Sequence, residues 1–128
     1  PAALAETLIP IGTLLHKQGS IMGGILKIAF LYALFHLPFT ALPTLIAAIG
    51  ISLLVGTVMG AIPSGGLLGE LFILHVYGFD HSCLFMIAAI SVLIDPPATL
   101  LNVTGNTLAV LILGRGGRRD FSSENLNH

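Results

Sequence analysis

From residue 28 to residue 69 the chain runs for 42 residues without one Asp, Glu, Lys or Arg. A helix crosses the hydrocarbon of a bilayer with about 20 apolar residues, so this stretch is long enough to enter a membrane twice. A second apolar stretch, residues 84–114, carries a single charge, Asp95. Charged residues make up 9% of the sequence, against about 25% in soluble domains, and mean hydropathy is +0.97. An ordinary soluble globule is excluded, and so is a disordered segment, which needs low hydrophobicity and high net charge. A formal net charge of −1 offers no basic surface to nucleic acid. The one cysteine, Cys83, has no partner for an internal disulfide, and no Cys/His pair has zinc-ligand spacing. The class is a membrane protein.

Four apolar segments follow one another. The first covers about residues 9–36 and is interrupted by His16, Lys17, Gln18, Gly19 and Ser20. The second, 41–59, closes in a Pro/Gly-rich turn at 60–66. The third, 67–78, has only 12 residues; at ~1.5 Å per residue it reaches about 18 Å, short of ~30 Å of hydrocarbon. The last, 84–114, is broken by Pro96 and Pro97. The pattern predicts an all-α membrane protein: an interrupted transmembrane helix (about 9–37), a re-entrant helical hairpin (41–79, apex 60–66) and a final transmembrane helix (84–114). Irregular backbone at the apex is tolerated at membrane depth only where protein or a watery cavity surrounds it. Four simple spans with a polar loop at Ser64 are the other reading of the same pattern. Arg115, Arg118 and Arg119 directly after the last segment place residues 115–128 in the cytoplasm, as a solvated, flexible tail. The chain starts at Pro1 without a basic n-region, which predicts a portion of a longer protein rather than a signal peptide.

Asp95 lies deep in the last segment, where an isolated carboxylate costs at least ~2.5–3.5 kcal/mol, so it must face a cavity or a cation. Asp95, Thr99, Asn102 and Asn106 follow at spacings of four, three and four, one face of a helix. Such a stripe suits a small polar solute; interhelical hydrogen bonding is the alternative use of Asn and Thr. Pro96 and Pro97 remove two donors and free carbonyls one turn upstream, near Val92 and Leu93. Broken-helix transporters hold cations with such carbonyls, although a simple kink leaves them too.

The run Asp95-Pro-Pro-Ala-Thr99-Leu-Leu-Asn102-Val-Thr-Gly-Asn106 resembles the last-helix motif D-x-x-R-T-x-x-N-V-T-G-D of the dicarboxylate/amino acid:cation symporters, the glutamate-transporter family. The apex Ala61-Ile62-Pro63-Ser64-Gly65-Gly66 is similar to the tip of that family's second re-entrant hairpin, G-[IV]-P-x-x-G. Pro10-Ile11-Gly12-Thr13-Leu14-Leu15-His16-Lys17-Gln18-Gly19-Ser20 sits where the family has P-L-G-A-T-x-N-M-D-G-T. The three occur in the family's order, and Gly78 falls 17 residues before Asp95, as the hairpin-to-helix spacing requires. The resemblance covers about residues 9–115 and implies the C-terminal portion of a transport core: a seventh helix unwound at its middle, a second hairpin acting as gate, and an eighth helix. It also implies that earlier helices and a first hairpin accompany this portion, and that the intact protein is a homotrimer whose cores move across the bilayer.

Residue roles follow from the same resemblance. Asp95 receives the amino group of an amino-acid substrate and Asn102 its carboxylate, with Thr99 and Ser20 beside them. Ile62, Pro63, Ser64, Gly65 and Gly66 cover the solute. Gly12, Asn102, Asn106 and Thr57 correspond to sodium ligands. The departures matter as much. Ala98 stands where members that carry acidic substrates have the arginine for the side-chain carboxylate; without that bidentate cation, a neutral amino acid is the expected substrate. Asn106 and Gln18 replace two anionic oxygens by neutral amides, which attract a hard cation less. His16 and Lys17 stand beside Gln18 and can substitute for a cation, the lysine as a fixed charge and the histidine through a proton; snorkelling to a water interface is the alternative. Coupling to Na+ is therefore expected to be altered or lost, with H+ as the other candidate, and no cofactor is implied.

The remaining polar residues suggest less. Lys27 can snorkel or pair with a carboxylate, and Glu70 can pair with Lys17 or Lys27. His36, His75 and His81 lie near segment ends, and Tyr32 and Tyr77 are candidate interface anchors. An enzyme is not expected: Ser64 lacks the G-x-S-x-G elbow and has no placed His/Asp pair. The expected function is secondary transport of a small neutral amino acid; the alternative is a truncated or partner-dependent membrane remnant without transport.

Overall fold

The computed structural model describes residues 2–15, 17–58 and 62–124. Every regular element among them is helical: α1 (Ala2–Leu15), α2 (Gln18–Leu34), α3 (Leu42–Thr57), α4 (Gly65–Tyr77) and α5 (Leu84–Glu124), with one 3-10 turn at His81–Cys83 before α5. The chain is an all-α membrane protein. α1 begins seven residues ahead of the start expected from the sequence, because Ala2–Leu8 holds good helix formers and no breaker.

Local signals set the ends. α2 stops where His36 takes a left-handed φ of 54°, so that Leu37 N–H donates to the Tyr32 carbonyl (2.8 Å) and His36 N–H to Ala33 (3.1 Å). Pro38, two residues on, prevents resumption. α4 ends the same way: Gly78 has φ 69°, and Phe79 N–H reaches the Leu74 carbonyl at 2.9 Å. α3 starts from the extended Ala41 with a proline in its first turn, where the missing N–H costs nothing. Asp80 accepts from Ser82 N–H (2.8 Å) and so begins the 3-10 turn that leads into α5.

α2 is the central helix, packed on α3 along one side and α5 along the other, while α1 rests on α5 and α4 on α3 and α5. The shared core is Ile28, Leu31, Ala48, Ile73, Leu74, Cys83 and Ile87. At one end of it Tyr32 stands edge-on to Phe39 and Tyr77, with centroids 5.6 Å apart in both pairs. Phe79 closes the ring cluster. Tyr32 and Tyr77, expected as interface anchors, are thus half-buried members of a packed aromatic group that gathers the ends of α2 and α4.

Large apolar side chains point outward all over the molecule, with Phe85 84%, Val92 73%, Leu93 75% and Leu42 69% exposed. In water such a surface would aggregate; lipid is the solvent that suits it. His81–Gly114 is long and apolar enough to span a bilayer. α3 and α4, with 16 and 13 residues, reach about 24 and 20 Å and fall short of a full crossing.

Two features of α5 differ from the sequence-based expectation. The helix continues through Pro96 and Pro97 instead of breaking. The carbonyls they free belong to Val92 and Leu93, and the intact turns on either side carry the axis through the defect. The backbone also stays helical to Glu124, past the end at residue 114 expected for the last helix. No proline follows Pro97 in that stretch, and extending an existing helix is far easier than nucleating one.

Candidate functional site

The α1–α2 junction lies against the middle of α5. Close approach there depends on Gly19: a Cβ at this position would stand 2.1 Å from the Ala98 carbonyl oxygen. Gly19 N–H donates to Asn102 Oδ1 (2.8 Å), and Asn102 Nδ2 donates to Ser20 Oγ (2.9 Å). Asn102 is thereby fixed by both of its amide atoms. One turn along α5, Asn106 is buried and donates to the Ile9 carbonyl at 3.2 Å. Its Oδ1 faces Gly12 and has no hydrogen-bond partner among the described residues. That buried amide oxygen can serve as one ligand of a cation, but as a neutral dipole it supplies no charge.

About two turns the other way begins an ion-pair cluster. Lys27 Nζ lies 3.2 Å from Glu70 Oε1 and 3.4 Å from Asp95 Oδ1. The Ser91 hydroxyl donates to the same Glu70 oxygen and stands 2.9 Å from the Ile87 carbonyl. The Lys27 and Glu70 side chains are buried, at 11% and 7% exposure, whereas that of Asp95 is 60% exposed. Three elements supply the cluster: Lys27 from α2, Glu70 from α4, and Ser91 with Asp95 from α5.

Asp95 opens on a cavity of about 210 Å³ lined by Ser20, Gly23, Gly24, Lys27, Val55, Gly65, Gly66, Glu70, Ile73, Ala98 and Thr99. A groove of about 600 Å³ adjoins it between α1 and α5, with Thr13, Lys17, Asn102, Asn106 and Thr107 on its walls. Ser20 and Thr99 border both spaces.

Of the residues singled out from the sequence, Asp95, Thr99, Ser20, Gly65 and Gly66 meet at the cavity, while Asn102, Asn106 and Lys17 line the groove. Ile62, Pro63 and Ser64 are exposed and form no part of either wall; the first residues of α4, Gly65 and Gly66, contribute instead. Ser64 holds φ 62°, a left-handed start to α4. Gln18 is exposed and donates weakly to the Leu101 carbonyl (3.4 Å). Thr57 closes α3 by donating to Leu53 O at 2.6 Å and borders neither space. His16 lies outside the described residues. Sequence reasoning passed over Ser91, although it stands four residues before Asp95 on the same α5 face, and it gave little weight to Lys27 and Glu70.

The chain is thus an all-α membrane protein with a polar, ion-paired cavity where α2, α3, α4 and α5 meet. The chain matches the Sodium:dicarboxylate symporter family over residues 1–115, and it belongs to that family. Neither a curated protein nor a solved structure matches it. Membership fixes the activity in outline: symporter-type transport of a small molecule in a lipid bilayer.

Proposed function

We propose that the cavity holds a small neutral amino acid, with its ammonium group toward Asp95 and its carboxylate toward Thr99 and Ser20. The observation that carries this reading is the exposed Asp95 carboxylate at a cavity of about 210 Å³, with Ala98 in the lining three residues along the same helix. An acidic side chain would meet no unshared positive charge there, since Lys27 is already bonded to two carboxylates. In this reading α3 and α4 form a re-entrant hairpin that covers the solute, and residues beyond 114 lie in the cytoplasm.

Coupling to sodium is altered or lost on the same proposal. Asn106 offers a neutral oxygen, and Gln18 presents its amide nitrogen to Leu101. Uptake of labelled L-alanine, L-serine and L-aspartate into vesicles containing the intact protein tests both parts. Alanine or serine uptake should exceed aspartate uptake, vanish in Asp95→Ala, and persist when sodium is exchanged for choline. Aspartate preference, or uptake abolished by choline, contradicts the proposal. No uptake of any of the three supports the alternative of a partner-dependent membrane remnant.

A further inference from the structure

The Asp95 carboxylate does not wait unpaired for a solute, because an ammonium group of the protein already stands beside it. We propose that Lys27 is a tethered counter-ion that holds the ammonium position at Asp95 until the amino group of the solute displaces it. The inference rests on reading the cavity as an amine-binding site and adds to it a residue that competes with the solute.

The two carboxylates next to Lys27 are not equivalent. Glu70 is buried, lies at the shorter distance of 3.2 Å, and is held further by Ser91. Asp95 is 60% exposed, lies at 3.4 Å, and borders the cavity. Lys27 is therefore anchored at Glu70 and reaches across to Asp95. A lysine ammonium has three donors on a flexible stem, so it can release Asp95 and keep Glu70. A second ammonium arriving at Asp95 must push the first away, since two like charges repel across one carboxylate. The exchange leaves every ionised group paired: Lys27 with Glu70, the solute with Asp95. Among the described residues lining the cavity, Lys27, Glu70 and Asp95 are the charged ones, so nothing else there offers Asp95 a cation. The empty site is thus kept from exposing a lone carboxylate to apolar surroundings, which carry a heavy penalty.

A lysine that merely holds the fold and one that competes with solute give opposite results. Lys27→Met alone strands Glu70, so the informative variant changes both, Lys27→Met with Glu70→Gln, and leaves no buried charge unpaired. Titration calorimetry of the full-length protein with L-alanine should show the double variant binding about tenfold more tightly, the equivalent of about 1.4 kcal/mol. Methylammonium, an amine without a carboxylate, should bind the double variant more tightly by a similar factor. Adding Asp95→Asn should abolish both gains. Equal or weaker binding of methylammonium by the double variant overturns the counter-ion inference. A methylammonium gain without any alanine binding upholds it and overturns the amino-acid reading instead.

Discussion

Glu70 illustrates how much one buried side chain determines here. Removing it leaves Lys27 without its nearer partner in surroundings where both are almost fully enclosed, and breaking a buried pair from one side costs about 3–5 kcal/mol. Glu70→Ala should therefore lower the thermal unfolding midpoint in detergent far more than Glu6→Ala at the exposed α1. At Ala98 the expected change is in selectivity. Arginine there has the cavity to extend into and adds a bidentate cation to its lining. With about 1.5–3 kcal/mol for a hydrogen bond to a charged group, the ratio of aspartate to alanine uptake should rise about ten- to hundredfold in Ala98→Arg. The stripe Asp95, Thr99, Asn102, Asn106 was legible from spacing alone, because four residues at helical intervals define a face whatever packs on them. The Lys27–Glu70 pair was not, because 43 positions separate the two and only the packing of α2 and α4 on the shared helices α3 and α5 brings them together.

At the level of elements, the contact of α2 with α5 is set by how little stands between them. A methyl group at Gly19 meets the Ala98 carbonyl at 2.1 Å, which the backbone cannot accept without moving. Overpacking of this kind costs about 1–3 kcal/mol, so Gly19→Ala should destabilise the protein and, by shifting the N–H that holds Asn102, weaken solute binding as well. The start of α5 responds to pH. Hydrogen bonds from Ser82 hold the Asp80 carboxyl below its ordinary value, so the carboxylate caps the turn at neutral pH. The capped form is favoured above the unfolded-state value and lost as pH falls through the lowered one. Amide exchange at Ser82, relative to the intrinsic rate, should quicken over that acid range, and Asp80→Asn should remove the dependence. Helix positions came readily from the sequence because breakers and apolar runs are local signals. The path of α5 through Pro96 and Pro97 did not, because whether proline stops or merely bends a helix depends on the turns to either side.

For the molecule as a whole, the outward display of leucine, isoleucine, valine and phenylalanine commits the fold to an apolar solvent. α5 exceeds what the bilayer needs: the 34 residues of His81–Gly114 extend about 51 Å against ~30 Å of hydrocarbon, so the helix must tilt or protrude. Oriented-sample infrared dichroism should report an α5 axis inclined well away from the membrane normal. Composition alone revealed this commitment, since no soluble arrangement hides so many apolar side chains behind so few charges. Which solute travels was less legible, because the wall of the proposed solute cavity is assembled from four separate helices.

The lysine that bridges Glu70 and Asp95 also ties the short arm α4 to the rest of the bundle. If that arm swings outward as a lid, it either drags the cation with it, uncovering Asp95, or leaves a bare anion in oil. On the proposed reading of α4 as a lid, its motion and the electrical state of the pocket would be one event, and substitutions at positions 27, 70 and 95 should be tolerated in company far better than singly.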